Sequence, residues 1–211
     1  MIQSAENKVI VDVTTKYTGN ISDLVNRSAI QNNASVHVED MVNICGKIIS
    51  LPKRISKKRE YSGFSTKDIM VGDIAIFSFN VIYDFFQNEP NGKLIYKNMI
   101  SYQGKEYFQA DITRVFGVIR NGSIIMINGY VMCQPVKEDI LYVPSAAKRA
   151  KVSKSSMVMH IGLPRETVPS ISVNNGDTVY FNPSIAQKYQ INNKPFIILN
   201  QHQILGKVIV A

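Results

Sequence analysis

The residues that could do chemistry are few and widely spaced in this chain of 211 residues. His37, His160 and His202 have no cysteine or carboxylate at the spacing of metal ligands, so we expect no metal site. The sequence also lacks a glycine loop that could cradle a phosphate and the tight turn that presents a catalytic serine. We therefore predict that the protein is not an enzyme and needs no cofactor.

Two aspartates, Asp73 and Asp177, recur in similar surroundings, and a recurring pair of carboxylates suggests acid–base catalysis. Each follows a glycine, Gly72 or Gly176, and precedes an apolar run. An aspartate at such a turn commonly accepts a hydrogen bond from its own backbone. We favour this structural role over catalysis.

The composition indicates a globular chain, with 45% hydrophobic and 19% charged residues. No apolar run approaches the roughly 18 residues that a membrane-spanning helix needs, and the first residues do not resemble a secretion signal. We therefore expect a cytoplasmic protein without a membrane partner. Its two cysteines, Cys45 and Cys133, are expected to be buried free thiols.

The elements around the aspartates occur in two copies. Residues 71–77 resemble residues 175–181, and residues 105–119 align without gaps on residues 194–208. Two ordered blocks that recur together indicate an internal duplication. The many short apolar runs separated by turns predict an all-β chain of small barrels or sandwiches, with domains at 1–122 and 123–211.

Two local predictions accompany this division of the chain. Asn121 and Gly122 predict a tight hairpin turn, because such turns need positive φ at both central positions. Val81, Ile82 and Tyr83 are expected to lie in a strand.

Each half also contains a long polar loop, at residues 14–35 and 137–155. The loops carry isolated apolar residues: Ile21, Leu24 and Val25 in the first, and Ile140, Leu141, Tyr142 and Val143 in the second. The net charge of +8 is concentrated in two basic runs, residues 53–59 and 148–154. These runs could meet phosphates or an acidic partner, although solvated loops are the simpler interpretation.

The second half resembles the GroES family of co-chaperonins. The similarity is carried by a first strand, a strand that ends in Ile-Gly, a Gly-Asp strand and an apolar tail, at residues 129–136, 156–162, 175–182 and 196–208. The first half fits through residues 47–49, 71–77 and 105–119. The resemblance implies two tandem, irregular β-barrels with long loops.

The resemblance also implies a function. Proteins of this family form a ring that caps a chaperonin folding chamber, and a flexible loop of each unit binds the apical domains of the chaperonin. The apolar residues of the two loops are then the expected chaperonin-binding residues. Divergent co-chaperonins occur in large phages, and the Asn, Lys and Ile content of the chain suits an AT-rich genome.

Two other functions stay open from the sequence. The fold could serve as a structural ring or connector, for example in a phage particle, which would place the protein in the virion instead of the host cytoplasm. A basic nucleic-acid-binding barrel would rest on net charge alone, and neither basic run has the interleaved aromatic residues of a single-strand binding platform. We therefore do not expect a nucleic-acid partner.

Overall fold

The computed structural model of the chain describes residues 2–17, 42–88, 93–135, 154–165, 168–182, 184, 186–191 and 194–208. The chain divides into two compact units, Met1–Ile124 and Ile125–Ala211. Nearly all of the regular structure is antiparallel β-sheet, so the prediction of an all-β fold is confirmed. None of the described helices is long and apolar enough to cross a membrane.

The first described strands form one large sheet and one hairpin. They are β1 (Lys8–Asp12), β2 (Cys45–Ser50), β3 (Ile74–Phe77), β4 (Phe85–Asn88), β5 (Lys93–Tyr96), β6 (Met99–Tyr102), β7 (Lys105–Asp111), β8 (Val115–Arg120) and β9 (Ser123–Met126). Seven of them pair in the order β6-β7-β1-β2-β3-β8-β9, and β4 pairs only with β5. A single turn of α-helix, α1 (Asn80–Tyr83), and two 3₁₀ helices, Arg59–Tyr61 and Ile112–Arg114, join these strands.

The remaining strands form a second sheet of six. They are β10 (Tyr130–Pro135), β11 (Lys154–Ile161), β12 (Thr178–Phe181), β13 (Gln187–Ile191), β14 (Lys194–Asn200) and β15 (Ile204–Lys207). Their order is β13-β14-β10-β11-β12-β15, and a 3₁₀ helix at Gln201–Gln203 joins the last two strands of the chain. The first sheet has this same order from β6 to β8, so β9 is its additional strand.

The registers of the two sheets also agree at their irregular points. The pairing of β1 with β2 shifts between Ile10 and Val11, and the pairing of β10 with β11 shifts between Met132 and Cys133. The pairing of β3 with β8 also shifts, because two neighbouring residues of β3 lie opposite Gly117 and Val115 and skip the residue between them. The pairing of β12 with β15 shifts in the same way, at Gly206 and Ile204. Each sheet therefore has the same two bulges at the same places along the same strands.

The buried side chains of the two units occupy matching positions. The core of the second unit contains nine residues, Val131, Cys133, Val158, Val173, Val179, Phe181, Ile197, Leu199 and Ile204. The matching residues of the first unit are all buried as well: Val9, Val11, Ile48, Ile69, Ala75, Phe77, Phe108, Ala110 and Val115. The alternation of inward and outward residues along each strand is thus the same in both sheets.

The Gly-Asp turn before β3 illustrates how this register is fixed. Gly72 has a φ of 100°, a conformation that favours glycine, and its N–H donates to the carbonyl of Ile48 at 2.9 Å. The Asp73 carboxylate accepts from the backbone N–H of Met70 at 2.8 Å and binds Arg120 through two hydrogen bonds of 2.8 and 2.7 Å. Asp73 therefore stabilises its own turn.

The equivalent turn before β12 has the same backbone arrangement. Gly176 has a φ of 91°, and its N–H donates to the carbonyl of Val158 at 2.8 Å. The Asp177 carboxylate accepts from the N–H of Asn174 at 2.9 Å and from Lys207 Nζ at 3.1 Å. Both aspartates thus have the structural role that was favoured over catalysis.

Of the two local predictions, one is confirmed and one is wrong. Asn121 and Gly122 have φ values of 50° and 78°, as the predicted hairpin turn requires. Residues Val81 to Tyr83, however, lie in α1 instead of a strand. Val81 and Ile82 are both buried, and their N–H groups donate to the carbonyls of Ser78 at 2.9 Å and Phe79 at 3.0 Å, which closes the helical turn.

The pKa of Asp73 is lowered mainly by its hydrogen bonds to Arg120. A lowered pKa means that the ionised carboxylate stabilises the fold above the ordinary pKa, and this stabilisation is lost as the pH falls through the lowered value.

We expect Asp73→Asn to reduce the stability of the first unit by about 1–3 kcal/mol at neutral pH. The variant should also lose part of the pH dependence of the stability below about pH 4, measured by urea unfolding. Asp177→Asn is the matched control, and it should cost less because its cation, Lys207, offers a single hydrogen bond. Equal losses in the two variants would contradict the role given to Arg120.

Candidate functional site

The predicted partner-binding residues lie outside the described residues. This holds for Ile21, Leu24 and Val25 in the first loop and for Ile140, Leu141, Tyr142 and Val143 in the second. Their assignment stays a prediction. The structure does show the strands that these loops connect: β1 with β2 in the first unit, and β10 with β11 in the second. Because these strand pairs are equivalent, the two loops connect matching strands of the two sheets.

The first loop leaves and returns through a narrow, hydrogen-bonded neck. Tyr17 forms an isolated antiparallel bridge with Val42. The backbone N–H of Asn43 donates to the carbonyl of Lys16 at 3.0 Å, and its side-chain amide donates to the carbonyl of Thr15 at 2.8 Å. These contacts hold the segment before the loop, residues 15–17, against the segment after it, residues 42–43.

Aromatic side chains from the β4–β5 hairpin and from β7 surround this neck. The Lys16 ammonium lies 4.7 Å from the centre of the Tyr96 ring and 5.6 Å from that of Phe108, and it forms an ion pair of 2.6 Å with Glu106. The Tyr17 hydroxyl donates to the Tyr96 hydroxyl at 3.3 Å. The Tyr96 ring in turn makes edge-to-face contacts with Phe85 and Phe108. One ring, that of Tyr96, therefore contacts both neighbouring residues of the neck.

The electrostatic environment of the neck agrees with this packing. Burial, and then the hydrogen bond to Tyr96, raise the pKa of Tyr17 far above its ordinary value. The phenol therefore stays neutral and keeps its proton for the hydrogen bond. Sequence reasoning did not identify Lys16, Tyr17 or Tyr96. The only signal was the density of aromatic residues between Phe79 and Phe108, which periodicity does not connect with a distant lysine.

The neck of the second loop is described only at its strand ends. β10 pairs with β11 as far as Pro135, which lies opposite Ser156. β11 also pairs with β12, beginning with Lys154 opposite Phe181. The second loop therefore connects two strands that are already hydrogen-bonded to each other near its ends.

The two cysteines and the possible metal ligands show no reactive arrangement among the described residues. Both cysteines are free, and burial raises the pKa of Cys45 to about 11 and that of Cys133 to about 12, so both thiols are protonated at neutral pH. Cys133 is buried as expected, whereas Cys45 is only partly so. Among the described residues, no three His, Cys, Asp or Glu side chains are grouped to hold a metal.

The two sheets differ at one edge, and sequence reasoning did not anticipate which residue would mark the difference. In the first sheet β9 pairs along the outer edge of β8, whereas no strand of the described residues pairs along the outer edge of β15. Phe116 and Leu205 occupy the same position in the matching bulges of these strands. Phe116 is 4% exposed and Leu205 is 64% exposed. A large apolar side chain is therefore exposed next to a sheet edge that no described strand covers, which is a common feature of association surfaces.

The neck gives a direct test of the role of Tyr96. Tyr96→Leu removes the ring next to Lys16 and the hydroxyl that accepts from Tyr17. We expect local opening of the neck to become easier by about 1–2 kcal/mol, since an aromatic contact and a hydrogen bond are lost. Amide hydrogen exchange at Asn43 should accelerate by about tenfold or more. Tyr107→Leu is the control, because Tyr107 follows Glu106 on β7 and lies on the opposite face from Phe108. Unchanged exchange in Tyr96→Leu would show that the aromatic cluster does not hold the neck.

Comparison with known protein families finds a match to the second half of the chain. No curated protein matches the chain. Residues 123–208 match the model of the family described as the Chaperonin 10 Kd subunit, and these residues comprise β9 to β15. The sequence of the second unit therefore has the pattern of a chaperonin 10 kDa subunit.

Proposed function

We propose that this protein is a tandem co-chaperonin, in which both units are GroES-like barrels and the assembled ring caps a chaperonin folding chamber. The observation that carries the proposal is the correspondence between the units. The first unit repeats the strand order, both bulges and the nine core positions of the unit that matches the chaperonin 10 kDa family. A shared set of irregular features is best explained by duplication of one ancestral unit. Such a protein would act in the cytoplasm, where chaperonins fold their clients.

The two long loops would make the contact with the chaperonin. They connect equivalent strands, so a symmetric arrangement of units would present both kinds of loop towards the same side. A polar loop with a short apolar segment suits reversible binding, because the cost of ordering the loop offsets much of the gain from burying the apolar side chains. Several loops on one ring would then act together, and the ring would bind far more tightly than a single loop.

The open edge of β15 supports self-association into a ring. Within the chain, β9 pairs with β8 and lies three residues before β10. Residues 1–4 have the same spacing before β1, and residues 2–4 are not part of a strand. These residues of one copy are therefore the natural counterpart of β9 for the β15 edge of a second copy. The contact repeats head to tail, which is the arrangement that closes into rings.

The exposed Leu205 provides the test of this assembly. We expect Leu205→Lys to prevent association while leaving the fold intact, because a charge would have to be buried where about 1.5–3 kcal/mol of apolar burial is otherwise gained per contact. The measurement is mass photometry over a range of protein concentrations, with circular dichroism to check the fold. Leu163→Lys is the matched control, because Leu163 is 76% exposed in the same unit but follows β11 instead of lying on β15. A ring that persists in Leu205→Lys would contradict the proposed edge.

The loop residues are tested separately. Each apolar side chain buried by a chaperonin should contribute about 1.5–3 kcal/mol before ordering costs. Leu141→Ser combined with Val143→Ser should therefore abolish co-sedimentation with a chaperonin and the effect on its ATPase rate, while the ring persists. The matching change in the first loop, Leu24→Ser with Val25→Ser, is the comparison and should have a smaller effect, because its apolar segment is shorter. A wild-type ring that binds no chaperonin would instead favour a structural ring or connector. Loss of folding in the double variant would show that the segment packs on its own barrel.

A further inference from the structure

Residues 53–59 of the first unit form a basic segment, and the structure describes all seven of them. Five of its seven residues are cationic, and all five are exposed: Lys53, Arg54, Lys57, Lys58 and Arg59. Arg54 forms an ion pair of 3.1 Å with Glu6. The other four cations form no ion pair with any described residue, so their charge is directed to solvent or to a partner.

This basic segment is held in a defined position on the unit. The N–H of Ser56 donates to the Asn7 side chain at 2.6 Å, and the N–H of Asn7 donates to the carbonyl of Arg54 at 3.4 Å. At its end, the Tyr61 hydroxyl donates to Asp111 at 3.0 Å. The cations therefore project from an anchored backbone, and a partner would not have to pay the full entropy of ordering a loose loop.

Two exposed apolar residues lie at the same end of the sheet. Met70 and Val71 are 50% and 61% exposed in the turn before β3. This turn is bonded to Ile48 near the end of β2, and the basic segment begins three residues after β2 ends. The first loop leaves from the other end of β1 and β2. The basic segment and the Met-Val pair thus lie at the same end of the first sheet, here called the basic end, and the predicted chaperonin-binding loop leaves from the opposite end.

The second unit shows that the fold does not require this surface. Its equivalent connection, residues 162–177, contains one cation, Arg165. The positions of Met70 and Val71 are occupied there by Asn174 and Asn175, which are also exposed. Since the same turn and the same bulges form there with a single cation and with asparagines in place of Met70 and Val71, the cationic cluster and the exposed apolar pair of the turn are specific to the first unit.

We propose that the basic end is a docking surface for an acidic protein segment that also carries apolar side chains. Clustered cations attract carboxylates over a distance of about one Debye length, and Met70 and Val71 would bury apolar side chains of the same segment. A nucleic acid backbone would make use of the cations but not of the aliphatic pair. This binding activity goes beyond the proposed capping function and does not depend on it.

The test uses the full chain and three fluorescein-labelled probes: a peptide of alternating glutamate and leucine, a polyglutamate peptide of equal charge, and a single-stranded oligonucleotide of equal charge. Binding is measured by fluorescence anisotropy. The glutamate–leucine peptide should bind most tightly, and its affinity should fall as salt is raised from about 50 to about 300 mM. Lys57→Gln with Lys58→Gln should weaken its binding by about three- to tenfold, as expected for two exposed ion pairs.

Two matched variants separate the contributions. Lys188→Gln with Lys194→Gln removes the same charge from exposed positions of the second unit and should leave binding unchanged. Met70→Ser with Val71→Ser should weaken the glutamate–leucine peptide but not polyglutamate. Equal weakening by both lysine pairs would reduce the effect to net charge and overturn the proposal. Tighter binding of the oligonucleotide than of the peptide would overturn it in favour of a nucleic acid, and absence of binding by all three probes would show a solvated surface.

Discussion

The structure depends on a reciprocal pair of backbone hydrogen bonds between each Gly-Asp turn and the strand beside it. The N–H of Gly72 donates to the carbonyl of Ile48, and the N–H of Ile48 donates to the carbonyl of Asp73. In the second unit, Gly176, Val158 and Asp177 form the same two hydrogen bonds. This pair of bonds sets which residues of β3 and β12 face inward. A shift by one residue would turn the whole apolar face of the strand towards solvent. The aspartate side chain secures the turn by accepting a hydrogen bond from the backbone N–H three residues earlier, so a local carboxylate protects a long-range register.

Features of the sequence that act locally predicted the fold well. The Gly-Asp turns, the Asn121–Gly122 hairpin and the alternation in the strands all depend on a few consecutive residues, and short-range sterics decide them. The prediction failed at Val81–Tyr83, where tertiary contacts decide the outcome. β-branched and aromatic residues favour a strand, but here Val81 and Ile82 are buried in a turn whose N–H groups donate to the carbonyls of Ser78 and Phe79.

The candidate site was less predictable, because its described parts depend on contacts between distant segments. Lys16 and Tyr96 are separated by most of the first unit, and no periodic pattern connects them. Leu205 and Phe116 appear equivalent in the sequence, but one is exposed and the other is buried, and of their two strands only β8 has a described neighbour, β9, along its outer edge. The apolar loop residues were found because isolated apolar side chains in a polar stretch are visible without any structure. Their binding role still rests on resemblance.

If the two units arose by duplication, as we propose, they show how such a fold can divide its tasks. The nine core positions and the bulges are kept in both, whereas the differences lie in connections. The first unit carries the β4–β5 hairpin and the cationic segment, and the corresponding connections of the second unit are shorter and contain one cation. Core positions are constrained by packing from all sides, but a connection is constrained only at its ends. One copy can therefore acquire new surfaces while the other keeps the ancestral sequence pattern.

The covalent connection through β9 has a consequence for symmetry. If whole chains close into a ring, that ring must contain an even number of barrels, and the two kinds of loop alternate around it. A partner ring with an odd number of subunits could then not offer every loop an equivalent site. Some loops would bind while others stayed out of register, and the cap could occupy several rotational positions of similar free energy on the same partner.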